Sequence, residues 1–161
     1  MTKEELRQKW RHTIEHDGGH CPVCDRWGKI YARGINKTMA QSLMWLCQAI
    51  KDEDGWVDVP TNAPRWLVRS NQLATLRWWG LVERKGNDNP KNKNSGMWRA
   101  KKLGFEFAQG MKKIPEKVYT YNGEVEVVSQ NLVHISKCFS NYFDYEKIMN
   151  EYFPLSQKNL F

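Results

Sequence analysis

The sequence contains no apolar run approaching the roughly 18–20 residues that a membrane-spanning helix needs. Its opening, MTKEELRQKW, is charged where a secretory signal would be apolar. Together these absences lead us to expect a cytoplasmic protein with no membrane partner. Cysteine is scarce, four in 161 residues, and in a reducing compartment those four are thiols or metal ligands rather than disulfides. No spacing assembles a general base, a nucleophile or a two-metal cluster, so no enzymatic activity is expected. The Asp52-Glu53-Asp54 run reads as a helix-ending turn. Internal repeats are also lacking. What the chain does have is bulk: 40% apolar residues, eight of them Trp. That is enough for a core, in one domain with an appendage or two very small ones.

The net charge of +7 is unevenly spread. From Arg65 to Lys113 there are twelve Lys and Arg against three acids, Glu83, Asp88 and Glu106. That segment carries +9, leaving −2 for the rest of the chain. Such a concentration is the footprint expected of a polyanion-binding surface. A solvated Lys-rich face is the plainer reading of the same count.

Residues 2–17 form an amphipathic helix by pattern. Thr2 and Glu5 make a capping box, and Leu6, Trp10 and Ile14 recur every four residues. Asp17-Gly18-Gly19 ends it. HCPVCDRWGKIYAR is a tight knuckle followed by a short strand. Residues 36–51 are the clearest helix, with Met39, Leu43, Leu46 and Ile50 on one face and Cys47 beside them as core. Residues 56–59 alternate like a strand up to Pro60. A short helix through 65–68 follows. Ser70 then caps a second helix over 71–79, with Gly80 as its stop. Residues 81–85 and 97–101 read as strands flanking a polar loop, 86–96, and residues 104–110 turn away. Asn122-Gly123, between 117–121 and 124–129, signals a type I′ hairpin. Its edge could pair with a second copy, so a homodimer is one expectation. Two short helices, near 131–140 and 144–152, complete the chain ahead of a loose tail.

LATLRWWGLVERK and, beyond the loop, MWRAKKLG resemble the winged helix-turn-helix superfamily across residues 36–110. The shared features are Leu76, Trp79, Gly80, Leu81, Val82 and Glu83 at the end of a recognition helix. Trp98, Arg99 and Gly104 match the second wing strand. The resemblance implies an α+β fold in which a three-helix core carries a β-wing. An N-terminal helix with a zinc-type knuckle would precede it, and a C-terminal hairpin with short helices would follow. Three segments result: 1–35, 36–113 and 114–161. The resemblance further implies double-stranded DNA as partner, met by a recognition helix over 71–79 and a wing loop over 86–96. Asn71 and Gln72 suit adenine edges and Thr75 a thymine methyl. Arg65 and Arg69 suit phosphates, with Lys85, Lys91, Lys93 and Arg99 along the wing. Winged helices also bind proteins, and Trp66, Trp78 and Trp79 cannot all be fully buried if the helices are amphipathic.

Cys21-Pro22-Val23-Cys24 resembles the knuckles of zinc ribbons and rubredoxins, in which the turn aims two sulfurs at one metal. No second CxxC exists, so zinc would need other ligands. His16 and His20 complete it locally, with His12 one helical turn before His16. His134 and Cys138 form an i, i+4 pair that could complete it remotely. Proximity favours the local set, and two buried reduced thiols in a tight turn are the plainer alternative. The layout as a whole, CPVCDRWGKIYAR, a helix, the winged-helix pattern and an Asn-Gly hairpin, resembles small uncharacterised bacteriophage proteins. That implies a phage-encoded protein in the bacterial cytoplasm. It would regulate transcription, or bind and inhibit a host enzyme or defence complex in the manner of an anti-CRISPR.

Overall fold

The computed structural model describes residues 1–86, 95–139 and 142–153. The chain begins with α1 (Lys3–Glu15), β1 (Gly19–His20), β2 (Trp27–Gly28) and β3 (Tyr31–Gly34). Next come α2 (Lys37–Gln48), β4 (Val57–Asp58), α3 (Val59–Asn62), α4 (Arg65–Ser70) and a 3-10 helix, Leu73–Trp79. Then follow β5 (Val82–Arg84), β6 (Met97–Ala100), α5 (Lys102–Ala108), β7 (Ile114–Pro115), β8 (Lys117–Tyr121) and β9 (Glu124–Val128). The last elements are β10 (Leu132–Val133), a 3-10 turn, Ile135–Cys138, and α6 (Tyr142–Tyr152). The fold therefore mixes helix and sheet. No helix among the described residues is long and apolar enough to cross a membrane.

The chain divides into two compact units. The first comprises Met1–Gly34 and Glu116–Asn131. In it, α1 starts on the capping box read from the sequence: the Glu5 amide donates to Thr2 Oγ1 at 3.1 Å, and the Thr2 amide to the Glu5 carboxylate at 3.0 Å. A three-stranded antiparallel sheet runs in the order β3-β8-β9. Its β8–β9 hairpin turns at Asn122 and Gly123, whose φ of 52° and 78° are the two left-handed positions of a type I′ turn. Tyr119 pairs with Val127 but Thr120 with Val125, so Glu126 is the extra residue of a bulge. The bulged carboxylate forms an ion pair with Arg11 of α1, which also binds Glu15.

The second unit, Ile35–Pro115 with Leu132–Phe161, is built on α2. Asn36 caps this helix by accepting from the Met39 amide at 2.9 Å. Met39, Ala40, Leu43, Met44, Leu46 and Cys47 are buried in it. Against α2 pack α4, the 73–79 helix, β6, α5, the 135–138 turn and α6. The sheet order is β4-β6-β5, antiparallel throughout.

Four local expectations change. Ser70 does not cap a new helix. It is the last residue of α4, its hydroxyl donates to the Leu67 carbonyl at 2.8 Å, and Asn71 closes the helix in a left-handed conformation, φ 55°. Asn tolerates that region far better than branched residues. The following stretch then winds as a 3-10 helix. Leu73, Leu76 and Trp79 are spaced by three, so at three residues per turn they stack in a single buried row. Finally, residues 102–108 are helical where the sequence reads as a turn from 104. Gly104 is there for contact: a Cβ would collide with the Leu81 carbonyl oxygen, which the Lys101 amide also holds at 2.9 Å. At the C-terminal end, where a helix is expected near 131–140, the described residues 131–139 give β10 and a 3-10 turn.

Gly104→Ala is accordingly expected to destabilise the protein by about 1–3 kcal/mol, the usual range for overpacking against an element that must shift. Urea unfolding followed by circular dichroism measures this, and an unchanged midpoint would contradict the packing.

Candidate nucleic-acid interface

The apolar row of the 73–79 helix and Leu67 of α4 face inward, which decides what faces out. Leu67 is buried while Arg65, Trp66, Val68 and Arg69 are exposed. Arg65 and Arg69, four apart, lie on the same side of α4. Trp66 keeps 40% of its surface in solvent and Trp79 only 7%. The Trp79 indole N–H donates to the Pro115 carbonyl at 2.8 Å, so this ring belongs to the core.

The base-reading residues read from the sequence differ in availability. Asn71 is exposed. Gln72 and Thr75 are half-buried, and the Thr75 hydroxyl donates to the Gln72 carbonyl at 2.5 Å. The Gln72 amide makes a long contact, 3.4 Å, to the Ser70 carbonyl. Lys85 is exposed at the end of β5. Lys91 and Lys93 lie outside the described residues.

Arg99 is committed elsewhere. Its Nε donates to Glu83 at 2.5 Å, its Nη1 donates to the Asp54 carbonyl at 3.2 Å, and its guanidinium sits 4.2 Å from the Trp56 ring centroid. Glu83 and Arg99 are directly opposed across β5 and β6, so this is a cross-strand pair holding the sheet. On the other face Arg84 opposes Trp98, its guanidinium 4.4 Å from the indole centroid. Arg84 was not singled out in the sequence. The period-two rule places it beside Val82, and that was the available signal. Arg84 and Trp98 help line an apolar cleft of about 230 Å³, with Pro60, Leu67, Val68 and Leu73. The face therefore combines exposed cations with an apolar hollow.

The knuckle lies in the first unit. Cys21 donates its amide to the Arg26 carbonyl at 2.8 Å, and the Asp25 amide returns to the Cys21 carbonyl at 2.9 Å. Asp25 takes the left-handed conformation that closes the turn, φ 60°. The amides of Cys24 and Val23 point at the Cys21 sulfur and hold its thiol below the ordinary range. Burial pushes the thiols of Cys138 and Cys47 up, Cys138 to about 12 and Cys47 further.

Histidine tautomers separate the two sets of further ligands. His16 Nδ1 lies 2.7 Å from the His12 carbonyl and His20 Nδ1 lies 2.9 Å from the Asp25 carbonyl. A carbonyl only accepts, so both Nδ1 atoms carry a proton, and in the neutral ring that leaves the lone pair on Nε2, the arrangement a metal ligand needs. His134, in the second unit, uses both nitrogens: Nε2 donates to the Gly110 carbonyl at 3.2 Å and Nδ1 accepts from the Ser136 amide at 3.1 Å. Among the described residues no three His, Cys, Asp or Glu side chains gather into a metal-binding group. The two knuckle sulfurs fit two positions of a tetrahedral zinc site by donor chemistry.

No protein-family model, curated protein or solved structure matches the chain. At neutral pH Cys21 is expected to react with iodoacetamide well ahead of Cys47 and Cys138, because the thiolate is the nucleophile. Its rate should persist below the pH at which an ordinary thiol loses reactivity. Peptide mass spectrometry over a pH series checks both, and equal rates at the three positions would contradict the amide-directed geometry.

Proposed function

We propose that this chain is a non-enzymatic DNA-binding protein of winged-helix type. The observation that carries the reading is a coincidence of order and charge. From α2 to β6 the elements run helix, strand, helices, strand, strand, with β6 between β4 and β5. That order supports the reading of a helical core carrying a β-wing, and Arg65, Arg69, Arg84 and Lys85 are exposed on these elements. Double-stranded DNA then meets phosphate contacts from these four residues, and base-edge contacts from Asn71, Gln72 and Thr75 at the α4 to 3-10 junction. Because the 73–79 helix is narrow and its apolar row is buried, α4 and the Asn71 corner do more of the contacting than a full recognition helix would. The first unit adds a structural zinc held by Cys21 and Cys24, with His16 and His20 completing it. A phage gene and a bacterial cytoplasm belong to the same reading, carried by the resemblance in layout.

A second reading has its own observation. Trp66 and Val68 are 40% and 44% exposed beside the apolar cleft, and exposed aromatics with Arg also suit protein interfaces. A host enzyme or defence complex would then be the partner, inhibited through this face. One stoichiometric protein that survives nuclease treatment in a pull-down from bacterial lysate favours it over DNA.

Duplex affinity is expected to fall steeply with salt, with a log–log slope of about −3 to −4 for four phosphate contacts. Arg69→Ala with Lys85→Ala should weaken binding and flatten that slope by about 2. Arg99→Ala should instead lower thermal stability and leave the slope unchanged, since its charge is bound to Glu83. Fluorescence anisotropy with labelled duplex across a salt series reads all three. Salt-independent binding, or none, would sink the proposal.

A further inference from the structure

A second surface carries chemistry that the duplex reading does not use. From Arg26 to Asn36 the chain holds Arg26, Lys29 and Arg33 and no acid. Trp27, Lys29, Tyr31 and Arg33 recur at every second position from β2 to β3, while Gly28 is buried and Ile30 half-buried. Trp27 and Tyr31 keep 49% and 42% of their surface in solvent. The two rings are tied to each other, the Trp27 indole N–H reaching the Tyr31 hydroxyl at 3.4 Å. The Lys29 ammonium and the Arg33 guanidinium lie 5.6 and 5.4 Å from the Tyr31 ring centroid. Arg33 is itself anchored, donating from Nε to the Thr120 hydroxyl at 3.2 Å. His20 meets Trp27 edge-on, centroids 5.3 Å apart. All four residues of β3 are exposed, and β3 is an outer strand of its sheet.

We infer that this strand is a stacking platform for single-stranded nucleic acid. Two exposed rings with cations interleaved between them match the two demands of a single strand: π-faces for unpaired bases and positive charge for the phosphates between them. A duplex meets only the second demand, because its base faces are already stacked. An uncharged aromatic-binding peptide would leave the cations without a role. The Trp27–Tyr31 hydrogen bond and the anchoring of Arg33 hold the surface in one arrangement before a ligand arrives, which lowers the ordering cost of binding. Stacking tolerates any base, so the platform is not sequence-specific.

The full-length chain is titrated by fluorescence anisotropy with labelled oligothymidylate and oligouridylate, each about 12 nucleotides long, within the span such sites cover. Binding of both marks a backbone- and base-stacking site indifferent to sugar; binding of one alone names DNA or RNA as the ligand. Trp27→Ala or Tyr31→Ala should each weaken binding about fivefold or more. Trp27→Phe and Tyr31→Phe keep a ring and should retain most of it. The Arg69→Ala, Lys85→Ala pair should leave single-strand affinity unchanged while duplex affinity falls, which separates this platform from the duplex face. Ultraviolet crosslinking of a 5-bromouracil oligonucleotide to the unmodified protein, mapped by peptide mass spectrometry, should label Trp27 or Tyr31 and requires no variant. The inference is overturned if neither oligonucleotide binds, if both alanine variants bind like the unmodified protein, or if crosslinks fall only within 65–102.

Discussion

Burial of α2 is the constraint on which the second unit depends. Six of its apolar side chains are withdrawn from water, and every other helix of that unit except α3 packs on it, together with β6. At about 1.5–3 kcal/mol for each large side chain fully buried, no other element there offers a comparable driving force. The consequences reach the surface. Leu67, Leu73, Leu76 and Trp79 face inward, so Arg65, Trp66 and Arg69 have no inward position left to occupy. The basic face is a by-product of where the apolar residues must go. Gly104 sets the closeness of this arrangement, since α5 approaches the Leu81 carbonyl at a distance only a residue without a side chain allows.

Much of this could be read from residue order. The apolar face of α2, the Thr2–Glu5 box and the Asn122-Gly123 turn each depend on neighbours in sequence, and the structure has all three. The departures arise where distant partners decide. Spacing by three at Leu73, Leu76 and Trp79 is compatible with either kind of helix, and the tighter one sets all three in one row against the core. Gly104 looks like punctuation until Leu81 is brought against it. Arg99 looks like a free cation of a wing until strand register sets Glu83 opposite. The same register places Arg84 on Trp98, which no count of basic residues reveals.

Charge counting alone therefore overstates the surface available to a polyanion. A guanidinium already matched to a carboxylate, a carbonyl and an aromatic ring has little field left to offer, and moving it would leave Glu83 without its partner. Arg65, Arg69 and Lys85 differ because they stand exposed on elements whose inward positions are filled by apolar residues. The segment's excess of +9 is real, but its effective part is smaller and sits on α4 and the end of β5.

The tryptophans divide in a parallel way. Trp79 and Trp98 are buried, one with its N–H bound to a carbonyl and the other under an arginine. They contribute packing and cannot present a ring face to a ligand. Trp27 is half exposed, with its N–H directed to the Tyr31 hydroxyl and the His20 ring set edge-on to it. A half-exposed ring keeps part of its surface for stacking, whereas burial uses both faces. A duplex presents phosphates and base edges, and a single strand presents base faces. On the two proposals made above, the cations of the second unit would meet the first form and the exposed rings of the first unit the second, so the two surfaces would call for different ligands rather than for more of one.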